Sequence, residues 1–226
     1  MQSLDFNRFF NGFFQNVSIY AIPVLFAITL HEVAHGWMAR YLGDRTAEML
    51  GRLSLNPLRH IDPLGTVLVP GVLLALGFPL FGWARPVPVA TSVLRRPRRA
   101  LALVALAGPA ANIVMALLWC AVLGAVIRIG GSATLKHWIV AMSQAGILCN
   151  VVLAIFNMLP IPPLDGGRVL AEVLPPRMGA GLAKIEPVGI FIVLGLSMLH
   201  LFGWLFDPTY RAVGQVINAL WVGPSA

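Results

Sequence analysis

Four long apolar runs dominate the chain, at residues 18–42, 100–129, 137–158 and 188–206. Each reaches or approaches the roughly 20 residues that carry a helix across the hydrocarbon core of a bilayer. A fifth run, 64–83, is interrupted by Pro70, Pro79 and several glycines and has arginine-bearing segments at both ends, which reads as a short or re-entrant element. Residues 210–222 are apolar enough for an interfacial helix or a last partial span. The opening residues 1–17 carry Asp5 and Arg8 among phenylalanines and lack a small-residue cleavage site. They are expected to form an interfacial anchor, not a removable signal. "GRLSL" and "RPVPVAT" alternate side chains and carry prolines in the manner of short edge strands. The pattern predicts an all-α polytopic membrane protein of about four to six membrane helices or re-entrant segments, with a small membrane-associated β element.

Composition agrees. The 226 residues are 58% hydrophobic and only 11% charged, against roughly 25% charged in a soluble domain, and the mean hydropathy is +0.81. The net charge of +7 does not form a stripe for nucleic acid, because it sits in loops. Arg45, Arg52 and Arg59 follow the first run, Arg85, Arg95, Arg96, Arg98 and Arg99 precede the second, and Arg168, Arg177 and Lys184 lie between the third and fourth. The positive-inside rule makes those loops cytoplasmic, with "LRRPRRA" as a topology determinant beside anionic headgroups. Cys120 and Cys149, each inside an apolar run, read as packing residues without a disulfide. No internal repeat or linker divides the chain. It reads as one membrane-embedded domain over 1–226, with the N-terminal segment at 1–17, a core at 18–174 and C-terminal membrane segments at 188–226.

One stretch breaks the apolar pattern. "AITLHEVAHGWMA" places His31, Glu32 and His35 inside the first span, one to three turns from its cytoplasmic end. An ionisable residue in the bilayer interior costs on the order of 2.5–3.5 kcal/mol on insertion scales and marks function by default. Residues i and i+4 share one helix face, so both imidazoles can turn to one metal ion while Glu32 lies beside it as a general base. Zinc is the ion expected, one per chain, since two imidazoles and a carboxylate leave a fourth position open for water whose pKa falls to about 7. The alternative is a histidine pair satisfied by neighbouring carbonyls, with Glu32 as its partner.

A third ligand must come from few carboxylates. Asp165 stands out: in "FNMLPIPPLDGGRVL" it follows the third span as that span returns to the cytoplasmic face, at the depth of His31 and His35. Pro160, Pro162 and Pro163 deny this stretch a regular helix, while Gly166 and Gly167 permit unusual backbone angles and close approach. A solvated aspartate in a proline-rich exit turn is the other reading. Ala105, Ala107, Gly108, Ala110 and Ala111 allow close helix packing around the site.

"HEVAH" in a first apolar helix, "AGPAAN" in a middle span and "FNMLPIPPLDGG" after a later one resemble the site-2 protease family of intramembrane zinc metalloproteases. "GRLSLNPLRHIDPLGT" and "FGWARPVPV" look like its compact branch, without PDZ or other soluble domains. The resemblance runs from about residue 27 to about residue 174 and implies zinc on His31, His35 and Asp165, with Glu32 as base and proton carrier. It implies that Asn157 binds substrate backbone or stabilises the oxyanion, and it leaves Asn112 substrate-facing or structural. Transmembrane proteins or peptides are the implied substrates, cut inside the membrane near its cytoplasmic face. His60 and Asp62, in "LRHIDPLG", either form a pair behind the ligands or fix the turn into the 64–83 element. The rival classes are a metal transporter, which needs ligands at several depths, and a relative that binds membrane helices without cutting them.

Overall fold

The computed structural model describes residues 6–75, 82, 85–90, 93–94, 96–129, 132–199 and 201–222. The phenylalanine side chains of the expected N-terminal anchor, and residues 76–81 and 83 of the 64–83 element, lie outside the described part. In chain order the α-helices are α1 (Phe6–Tyr41), α2 (Thr46–Met49), α3 (Val69–Ala75), α4 (Pro97–Arg128), α5 (Ala133–Asn157), α6 (Asp165–Val173), α7 (Pro176–Ala183), α8 (Glu186–Met198) and α9 (Gly203–Val222). A 3-10 turn at Pro57–Arg59 and a π-helical turn at Pro63–Leu68 lead into α3.

Local chemistry sets the boundaries. Pro97 opens α4 at a position where its missing N–H costs nothing, and the Ser132 side chain caps α5 by accepting from the Leu135 N–H. Asn56 and Asp62 cap their turns in the same way, Asp62 accepting from Leu64 and Gly65. Asp62 is therefore a turn former and not a partner of a ligand. Arg98, near the start of α4, donates to the carbonyls of Glu172 and Leu174 at the end of α6, where a cation is favoured.

Three helices, α1 from Val17 to Tyr41, α4 and α5, are long and apolar enough to cross a membrane, and α7 with α8 makes a fourth if that pair, bent by 66°, counts as one span. The chain is a multi-pass membrane protein. The expected span at 188–206 is broken: α8 ends at Met198, and the turn before α9 buries Phe202 against Leu164 and Val193, edge-on to Phe156. Burying an aromatic ring there outweighs continuing a straight helix. α4 lies centrally, packed on α1, α5 and α6. Toward the C-terminal end of α4, Leu123 forms a core with Val140 and Ile147 of α5 and Val213 of α9.

The expected β element is not found, and no strand occurs among the described residues. Residues 52–55 and 85–90 run without regular structure because their partners are not another strand. Within 85–90 the Arg85 N–H bonds the His60 carbonyl, the Val87 N–H bonds Glu32 Oε2 at 3.2 Å, and the Ala90 N–H bonds Asp44 Oδ2 at 2.6 Å. Two carboxylates take donors that a ladder would need. Burial pushes the Asp44 carboxyl up, but hydrogen bonds from Thr46 and the Ala90 N–H outweigh it and hold the group below the usual carboxylate range.

Gly166 and Gly167 serve close approach alone, since positive φ among the described glycines occurs at Gly43 and Gly51. A Cβ on Gly166 would lie 2.2 Å from the Met158 carbonyl oxygen, and one on Gly189 of α8 would lie 1.7 Å from that of Pro162. The 158–164 loop is thus seated between α6 and α8. Gly189→Ala is expected to lower stability in detergent by about 1–3 kcal/mol, whereas Gly195→Ala, on the same helix with nothing within 4 Å of the added carbon, should melt as the wild type does. Equal melting of both variants would show that the loop does not rest on α8 there.

Candidate metal centre

One turn apart on α1, His31 and His35 bring their Nε2 atoms to 3.1 Å, with the rings edge to face. Asp165, the first residue of α6, sets its Oδ2 3.1 Å from His31 Nε2 and 3.5 Å from His35 Nε2. All three side chains are buried, and their ligand atoms lie within 4.8 Å of one another. They sit about 15 and 9 Å along the helix axis from Tyr41 for His31 and His35, at a rise of about 1.5 Å per residue.

Both rings are anchored from behind by α4. His35 Nδ1 lies 2.7 Å from the Val104 carbonyl oxygen, and His31 Nδ1 lies 2.6 Å from Asn112 Oδ1. Progress along α1 from 31 to 35 meets α4 from 112 to 104, so the two helices are antiparallel. Val104, Gly108 and Asn112 are spaced four apart and form one stripe of α4 against α1. Pro109 follows Gly108 inside α4 and, lacking an N–H, leaves the carbonyl of Ala105 without its intrahelical donor, next to the Val104 carbonyl that His35 uses.

A carbonyl only accepts, so His35 Nδ1 donates, and the Nε2 of the neutral ring carries a lone pair. The buried Asp165 Oδ2 has no hydrogen-bond partner. The two imidazole nitrogens and the carboxylate oxygen therefore face one point, where a cation, or in its place a proton shared from one imidazole, holds them together. Two imidazole nitrogens and one carboxylate oxygen form a donor set that suits zinc with a position left open.

The four remaining expected residues each fall in a different place. Glu32 is half-buried beside the cluster without joining it, its Oε2 bonded by Val87 N–H. Asn157 ends α5, half-buried, with its amide donating back to the Leu153 carbonyl. Asn112 has 0% of its surface exposed, which favours the structural of its two expected roles over the substrate-facing one. His60 is buried with Nε2 donating to the Ser54 carbonyl, and its hydrogen bonds do not include the three clustered side chains. Asn150, which the sequence reading passed over, is equally buried and bonds Asn112. Its one signal was an amide in the middle of an apolar run.

Residues 120–199, which include Asn157 and Asp165, match peptidase family M50. A Bacillus subtilis protein named "Putative zinc metalloprotease YwhC" is 37% identical over 194 residues, covering 84% of this chain and 85% of the relative. The chain belongs to peptidase family M50. That is the site-2 protease family to which its motifs point. The Mycolicibacterium smegmatis "Putative zinc metalloprotease Rip2" is 34% identical over 190 residues, covering 82% of this M50 chain and 69% of the relative. No solved structure matches the chain. Within the M50 chain a groove of about 420 Å³ between α1, α5 and α9, lined by Tyr20, Gln144, Tyr210 and Asn218, is separate from the histidine cluster.

Proposed function

We propose that the chain is an intramembrane zinc metalloendopeptidase that hydrolyses peptide bonds in or near transmembrane segments, with its site near the cytoplasmic face. The observation that carries this reading is the buried convergence of His31, His35 and Asp165 inside apolar helices. Zinc held by these residues supplies Lewis acidity to water and to a peptide carbonyl. Glu32, tethered by the Val87 N–H, takes the proton of the attacking water and returns it to the departing amine. Asn157 is assigned the holding of substrate backbone, which its amide can do without adding charge. The core at 18–174 supplies every one of these groups. The cytoplasmic placement is supported by the arginine-bearing loops at the cluster's end of α1, α4 and α5. A transporter would need ligands at several depths, and among the described residues these three form the group able to hold a metal.

A helical substrate keeps its carbonyls tied up in the membrane, so cutting requires local unwinding. Detergent-solubilised wild type is expected to cleave a single-span substrate, to lose that activity to a zinc chelator and to regain it with added zinc. Helix-breaking residues in the substrate's span should speed the cut. Zinc-loaded protein that leaves a panel of such substrates intact would overturn the protease reading, and equal cleavage of a stiff poly-leucine span would overturn the unwinding step.

A further inference from the structure

Behind the cluster, a chain of buried amides joins three helices, and its direction is fixed by backbone carbonyls. Asn150 Nδ2 donates to the Gly146 carbonyl at 2.8 Å. Because that carbonyl can only accept, Asn150 must turn Oδ1 toward Asn112, whose Nδ2 meets it at 2.9 Å. Asn112 Nδ2 also donates to the Ala27 carbonyl at 3.2 Å on α1. Both partners of that nitrogen are acceptors, so the amide cannot be flipped without losing two bonds. What remains for His31 is Asn112 Oδ1, again an acceptor, at 2.6 Å. His31 Nδ1 must therefore carry a proton, and in the neutral ring Nε2 keeps the lone pair.

We propose that Asn150 and Asn112 form an amide relay, anchored on the Gly146 and Ala27 carbonyls, that holds His31 in its Nδ1–H form and so sets how tightly the cluster binds zinc. Asn112 and Asn150 are positioning residues: both are fully buried and touch neither substrate nor metal. The proposal rests on the reading of His31, His35 and Asp165 as a metal site. It also accounts for two polar side chains with no exposed surface in helices otherwise built for lipid and for each other. His35 needs no such relay, because the Val104 carbonyl fixes its tautomer directly. His31 has a side chain in that place, and a side-chain amide that could rotate needs a second group to hold it. Asn150 is that group.

The test is zinc affinity, measured on purified full-length protein by competition with a metallochromic chelator, together with the ligand-field spectrum of the Co2+-loaded form and the melting of the metal-free form. Asn112→Leu removes the acceptor and should weaken zinc binding about 10–100-fold, with an altered cobalt spectrum. Asn112→Asp keeps an acceptor for His31 Nδ1–H and should bind zinc more tightly than Asn112→Leu. Asn150→Leu, which leaves His31 and its acceptor in place, should weaken binding by a smaller factor than Asn112→Leu. A purely structural role would lower metal-free melting in all three variants and leave zinc affinity at the wild-type level, and that result overturns the relay. Where Asn112→Leu fails to fold, wild-type affinity in Asn150→Leu overturns it equally. Wild type that binds no zinc removes the metal-site reading itself, a different outcome from wild type that binds zinc with variants that match it.

Discussion

Glu32→Gln is expected to lower cleavage of a single-span substrate by at least about 10²-fold, within the 10²–10⁴ that a positioned general base contributes, while zinc stays bound at the wild-type level. Glutamine has nearly the shape of glutamate, and its amide oxygen can still accept from the Val87 N–H that meets Glu32 Oε2. What it cannot do is take a proton. The proposed metal ligands are three other side chains, so nothing in the substitution touches that donor set. Zinc analysis alongside the cleavage assay separates the two roles. Loss of zinc in Glu32→Gln would make Glu32 a ligand or a support of one, and undiminished cleavage would place the base elsewhere. His35→Ala should give the opposite pattern, losing the metal and the activity together.

The chemistry was legible in the sequence where it is encoded by spacing. Two histidines four apart share a helix face whatever surrounds them, and Asp165 follows from the direction in which each apolar run crosses the membrane. Asn112 stayed between two roles because a polar residue in an apolar helix announces that it is paired but not with what; the side it faces depends on α1 and α5 at once. Asn150 has the same ambiguity without a motif around it. The strands expected at "GRLSL" and "RPVPVAT" failed for a related reason. Local alternation describes a segment that could pair, but the donors of 85–90 are taken by Asp44, Glu32 and the His60 carbonyl, acceptors more than 20 residues away in sequence. Apolar content likewise could not foretell the break in 188–206, because a helix and a turn that buries Phe202 have the same composition.

Gly108 shows how a residue can be legible as a class and still hide its importance. It stood among small residues suited to close packing, yet among the described glycines it is the one that lies under both imidazoles: a Cβ there would be 2.4 Å from His35 Nε2, 2.5 Å from His35 Cε1 and 2.6 Å from His31 Cε1. Ordinary contact begins near 3.4 Å, so at least one ring would have to retreat by about 1 Å, a misplacement that commonly costs about 10²-fold in a preorganised site. Neither ring can retreat freely, since each is bonded through Nδ1 to α4 itself. Gly108→Ala is therefore expected to weaken zinc binding by about 10²-fold or more and to abolish cleavage. Alanine favours the helix over glycine by about 1 kcal/mol, so the helix has no reason of its own to fail. Gly124→Ala, on the same helix with nothing within 4 Å of the added carbon, supplies the control and should bind zinc as the wild type does. Wild-type zinc affinity in Gly108→Ala would mean that α1 and α4 stand further apart at the histidines, and the tethering of both rings by α4 would fall with it.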